Sequence, residues 1–127
     1  MALSLTYAPP EVIASYAAGA PSIVASKAAD IWSIGVIAYE LLTGAPAFRP
    51  GVTRNEVIDA LLGKTPLPWE VAPPETLRRL LRMRGPIMQC LHRQAEVRPD
   101  ASRLLAALLG FLTATTSATS HSRHEES

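Results

Sequence analysis

The string Asp30-Ile31-Trp32-Ser33-Ile34-Gly35-Val36-Ile37-Ala38-Tyr39-Glu40-Leu41-Leu42-Thr43-Gly44 constrains the fold more than any other part of this chain. Ser26 stands where an N-cap is needed, Gly44 offers a left-handed residue after the last turn, and Pro46 stops continuation. A helix is therefore predicted from about Lys27 to Thr43. Its apolar residues point around the whole 3.6-residue period and leave no polar face for water. Such a helix has to stand at the centre of a packed body, yet it opens on the carboxylate of Asp30.

The flanking sequence reads as shorter helices around that centre. Pro9 and Pro10 fix an extended entry, and Pro10 can open a short helical turn over residues 11–15. Residues 16–25, rich in Ala, Gly and Ser, read as a surface loop. A second helix is expected over residues 53–62, with Asn55 or Thr53 near its start and Gly63 just past its end, followed by a proline-rich but ordered loop anchored by Trp69. Leu77, Leu80 and Leu81 recur at helical spacing until Gly85-Pro86, where a new helix starts with Ile87, Met88 and Leu91 inward. A last helix runs from Asp100 to about Leu112, with Leu104, Leu105, Leu108, Leu109 and Leu112 on one broad face. No segment reads as a strand. The predicted fold class is all-α, a folded unit over 1–112 with a disordered polar tail over 113–127 that is too poor in apolar residues to fold.

With 127 residues and 48% hydrophobic content, one domain with a real core is expected. A net charge of +1, with Lys and Arg dispersed, gives no basic face for a phosphate backbone, so nucleic acid is not expected as a partner. The single cysteine, Cys90, excludes an internal disulfide framework and suits a reducing, cytoplasmic setting. The first residues carry no cationic start and no sustained apolar run, so secretion is not expected. Asp30 and Glu40 interrupt the apolar stretch 28–45, and the stretch 101–114 is short for a span, so no membrane association is expected. Cys90 and His92 lack a second ligand pair, which argues against a metal. Arg78, Arg79, Arg82 and Arg84 read as the wet side of a helix.

Three ordered motifs resemble the helical large lobe of eukaryotic protein kinases, of serine/threonine type. Tyr7-Ala8-Pro9-Pro10-Glu11-Val12 is similar to the A-P-E signature that closes the activation segment, with Pro9 where alanine is usual. The Asp30–Gly44 string resembles the central helix, and Cys90-Leu91 with Arg98-Pro99 resembles the last motif of the lobe. The loop from Glu11 to Asp30 is longer than is common, and Gln94-Ala95 stands where Asp-Pro is usual.

The resemblance implies a scaffold made of Glu11, Asp30, Trp32, Gly35 and Arg98, with Glu11 and Arg98 forming an ion pair and Asp30 bonding to the backbone of a catalytic loop. It implies a substrate-platform loop containing Ser4, Thr6 and Tyr7, and a protein substrate or partner. It also implies a partial kinase domain, because the Gly-rich loop, strand lysine, catalytic-loop residues and D-F-G aspartate that phosphoryl transfer needs have no counterpart in the sequence. No catalytic, cofactor-binding or metal-binding residue is therefore assigned; ATP and Mg belong to a full-length parent. The alternative is a pseudokinase-like interaction module without catalysis. Self-association through a lobe face left exposed is a further expectation.

Overall fold

A computed structural model describes residues 7–19, 26–110 and 112–113. Among these residues the chain is helical and contains no strand. The helices are α1 (Pro10–Ala17), α2 (Lys27–Thr43), α3 (Arg54–Leu61), α4 (Pro74–Arg78) and α5 (Arg84–Cys90), followed by α6 over 101–110. Single 3-10 turns lie at Pro68–Glu70, Leu81–Met83 and Ala95–Val97.

Local chemistry sets the boundaries. The Ser26 hydroxyl accepts a hydrogen bond from Ala29 N at 3.0 Å, and Gly44 closes α2 at φ 75° while its N–H reaches Glu40 O. At α3 the Thr53 side chain accepts from Glu56 N, and the Glu56 carboxylate accepts from Thr53 N, a complete capping box. Asp100 Oδ1 accepts from Arg103 N at 2.8 Å at the start of α6. Pro10 is the first residue of α1, where its missing N–H costs nothing.

The core forms along one side of α2. Trp32 and Val36 are fully buried there, and Trp69 stands edge-on to Trp32 and Tyr39, with ring centroids 5.5 Å and 5.9 Å away. Ile13, Leu61, Leu67, Leu80 and Ile87 complete the packing. α5 crosses α2 at Gly35, where a Cβ would fall 2.7 Å from the Cys90 Cβ and 3.1 Å from Leu91 Cδ2. Glycine is required there because the two helices approach too closely for any side chain.

Several sequence expectations need correction. α2 is central, but it is not buried on every side. Ile34 is 46% exposed, Ile37 48% and Leu41 77%, because residues 34, 37 and 41 share the face turned away from the packed elements. The leucine face of α6 is likewise open, with Leu105 and Leu109 both more than half exposed. The helix expected through Leu77, Leu80 and Leu81 ends at Arg78. Leu80 and Met83 turn inward, while Leu81, at φ 55°, points to solvent. α1 continues to Ala17, beyond the expected turn. The remaining part of the expected loop, residues 20–25, and the tail over 114–127 lie outside the described residues.

Candidate functional site

The features that tie distant parts of the chain together are polar and lie on two sides of α2. Glu11, in the first turn of α1, and Arg98, just beyond the last 3-10 turn, are 87 residues apart in sequence. They meet in a bidentate pair, Nη1 to Oε1 at 2.6 Å and Nη2 to Oε2 at 2.9 Å. A guanidinium has five N–H donors, and here every one has an acceptor. Nε donates to His92 O at 2.8 Å, while Nη1 also reaches Ala28 O at 3.0 Å and Nη2 reaches Arg93 O at 3.4 Å. The cation lies 5.0 Å from the centre of the Trp32 ring. The Arg98 side chain has no solvent exposure, whereas that of Glu11 is 37% exposed.

A cation so completely satisfied has no donor left for a ligand, and its chemistry is that of a clamp. Through one side chain, α1, the start of α2, the turn after α5 and the entry to α6 are held together. A lysine could not do this, because it lacks the planar fork that answers both carboxylate oxygens at once.

On the other side of α2, the Tyr7 hydroxyl donates to Glu40 Oε1 at 2.9 Å, and Glu40 Oε2 accepts from Ala47 N at 2.9 Å. The Ser33 hydroxyl sits 2.9 Å from Tyr7 O and 3.2 Å from Ala29 O. The segment leading into α1 is therefore laid along α2 by contacts at both ends of one residue. The hydrogen bond to Glu40 holds the Tyr7 phenol above its ordinary pKa. Ser4 and Thr6, the other platform residues expected from sequence, lie outside the described residues.

Asp30 stands in the first turn of α2, exposed, and its carboxylate has no hydrogen bond or ion pair among the described residues. Trp32 is buried beside Arg98, and Gly35 faces α5. The structure thus brings Glu11, Arg98 and Trp32 together, sets Gly35 at the helix crossing, and leaves Asp30 facing outward. Cys90 is buried, which raises its thiol pKa, and His92 Nδ1 accepts from Gln94 N.

Sequence reasoning missed two anchors. Glu40 was visible as a lone acid inside an apolar helix, a pattern that asks for buried N–H or O–H partners. Arg93 ties the proline-rich loop to α3, reaching Glu70 Oε1 at 2.8 Å and Ala60 O at 2.7 Å, and no local signal marked it. Among the described residues no group of three or more His, Cys, Asp or Glu is arranged to hold a metal ion. No helix among them is long and apolar enough to cross a membrane.

Comparison with known proteins places this geometry. The family model described as protein kinase domain matches residues 1–109. Mitogen-activated protein kinase 9 of Arabidopsis thaliana is 43% identical over 93 residues, covering 68% of this chain and 18% of that protein. A cAMP-dependent protein kinase catalytic subunit-like protein of Caenorhabditis elegans is 33% identical over 61 residues, covering 46% of this chain and 15% of that protein. The chain spans less than a fifth of the length of either relative.

Proposed function

Because the chain belongs to the eukaryotic protein kinase family, we propose that it is the scaffold part of a serine/threonine kinase domain and carries no catalytic centre of its own. In this reading a longer parent transfers the γ-phosphoryl group of ATP to a protein hydroxyl, using magnesium held by residues outside this chain. The observation that carries the reading is the Glu11–Arg98 clamp. It fixes the end of the segment containing Tyr7 to the body of the lobe, where a substrate platform has to be rigid. Asp30, exposed and unpaired at the start of α2, is free to accept backbone N–H groups from a catalytic loop supplied by the parent. The partner is a protein substrate, and the compartment is cytoplasmic.

Two measurements test this. Titration of the chain with a fluorescent ATP analogue and magnesium is expected to give no saturable binding; saturation would contradict the absence of a nucleotide site. Sequencing the native transcript upstream of the Met1 codon is expected to reveal an in-frame catalytic loop and a D-F-G segment. A transcript that starts just upstream would favour the second reading, a non-catalytic interaction module. An open cavity beside the proline-rich loop supports that reading.

A further inference from the structure

Residues 77–84 lead from the end of α4 into α5 as a ribbon whose two sides differ in chemistry. Leu80 and Met83 are buried and Leu77 packs against the core, whereas Arg78, Arg79, Arg82 and Arg84 are exposed. Turns closed by Arg79 N to Thr76 O, Leu80 N to Leu77 O and Met83 N to Leu80 O keep this stretch short and its arginines on the outer side. Arg79 is committed, because its Nη1 donates to Thr43 O at 2.9 Å and fastens the ribbon to the end of α2. Arg78, Arg82 and Arg84 have neither hydrogen bond nor ion pair among the described residues. Glu75 is the single carboxylate between residues 71 and 95, and it pairs with none of them. The crowded like charges repel one another, and the fold offers them no counter-charge.

Among these arginines the backbone itself is strained. Leu81 stands at φ 55°, in the left-handed region that a bulky residue rarely adopts, and its side chain is 66% exposed. Buried Leu80 and Met83 hold that conformation from both sides. Folding gains nothing from a leucine there, since glycine would take the same φ without strain. Three unpaired guanidinium forks around one exposed apolar side chain complement a segment that is strongly negative and carries an apolar residue. A phosphate group, with about −1.5 to −2 charges and three acceptor oxygens, can answer two such forks at once, whereas a carboxylate answers one. A charged membrane would need only positive charge, and a single leucine is too little apolar surface to enter a bilayer. We infer that this ribbon docks a phosphorylated segment of a partner protein, with its phosphates on Arg78, Arg82 and Arg84 and an apolar residue against Leu81. The assignment goes beyond the scaffold role and does not depend on it, since the ribbon shares no residue with the Glu11–Arg98 clamp or with Asp30.

The test uses the full chain and fluorescent, capped peptides of Gly, Ser and Ala carrying one Leu and two phosphoserines at varied separations, with binding followed by anisotropy. Saturable binding by at least one separation is expected, weakened about tenfold or more when the phosphates are removed. Arg78→Lys combined with Arg82→Lys keeps the net charge and removes two forks, so it is expected to weaken binding about fivefold or more with the circular dichroism unchanged. Leu81→Gly should weaken binding by a smaller factor without lowering the unfolding midpoint, because glycine accepts φ 55°. Binding indifferent to the double substitution and to Leu81→Gly would overturn the inference. So would the absence of saturation by every phosphopeptide, or equal binding of the dephosphorylated ones. Binding to vesicles of phosphatidylcholine and phosphatidylserine without binding of any peptide would also overturn it, and would assign the arginines to a membrane surface instead.

Discussion

At the scale of the residue, Arg98 carries the most. Its removal strips a donor from three backbone carbonyls and leaves Glu11 without its cation. Together with the loss of a large sealed side chain packed on the Trp32 ring, this is expected to make Arg98→Ala cost ~3–5 kcal/mol. Glu11→Ala should cost less, ~1.5–3 kcal/mol, because Glu11 is partly hydrated and Arg98 keeps its carbonyl partners and the Trp32 ring. Urea unfolding of both variants measures the order. An Arg98→Ala protein as stable as wild type would refute the clamp. Gly35 tests a contest between two opposite effects. Alanine gains about 1 kcal/mol in helix propensity, but its Cβ would overlap Cys90 at 2.7 Å, and overpacking costs ~1–3 kcal/mol. The neighbour is a Cβ fixed to backbone, which cannot swing aside, so Gly35→Ala is expected to lower the unfolding midpoint.

At the scale of the element, carboxylates placed at the starts of turns make stability depend on pH. At Glu70, burial pushes the pKa up, but the Leu67 N–H and Arg93 outweigh it and the net shift is down. Glu56 is also lowered, first by the backbone N–H of Thr53. A carboxyl with a folded pKa below its unfolded value stabilises the fold above the unfolded value, near 4.5 here. That stability is lost as pH falls through the folded pKa. Urea midpoints should therefore drop between neutral pH and a pH below 4.5, and Glu70→Gln should make the drop shallower. An unchanged pH dependence in that variant would remove Glu70 from the account. These same local devices explain what the sequence discloses. The ends of α2 are legible because Ser26, Gly44 and Pro46 act on residues within a turn of themselves. The capped start of α3 is legible for the same reason. The pairing of Tyr7 with Glu40, 33 residues away, has no local signature, and Glu11 finds Arg98 on paper only through the family resemblance. The course of residues 77–83 is misread because leucine spacing cannot report a backbone that leaves the helix after Arg78 and turns again at Leu81.

At the scale of the whole molecule, the open faces of α2 and α6 set the behaviour in solution. Apolar periodicity tells that a side chain wants cover, and it does not tell whether the covering element is in the same chain. Burying one fully exposed Leu or Ile gains ~1.5–3 kcal/mol, and Ile34, Ile37 and Leu41 are between about half and three-quarters exposed. Two copies meeting through this stripe recover several kcal/mol, against about 4–15 kcal/mol for the lost freedom of association. The balance is near zero, so the expected outcome is weak, concentration-dependent association and not a tight dimer. Sedimentation velocity should show the average mass rising with concentration. Leu41→Glu should suppress the rise with little change in unfolding midpoint, because that side chain, 77% exposed, contributes almost nothing to the core. A chain that stays monomeric at every concentration would show that the stripe is tolerated in water. Association that survives both Leu41→Glu and Ile37→Glu would move the contact to the leucines of α6, whose exposed face makes the same demand.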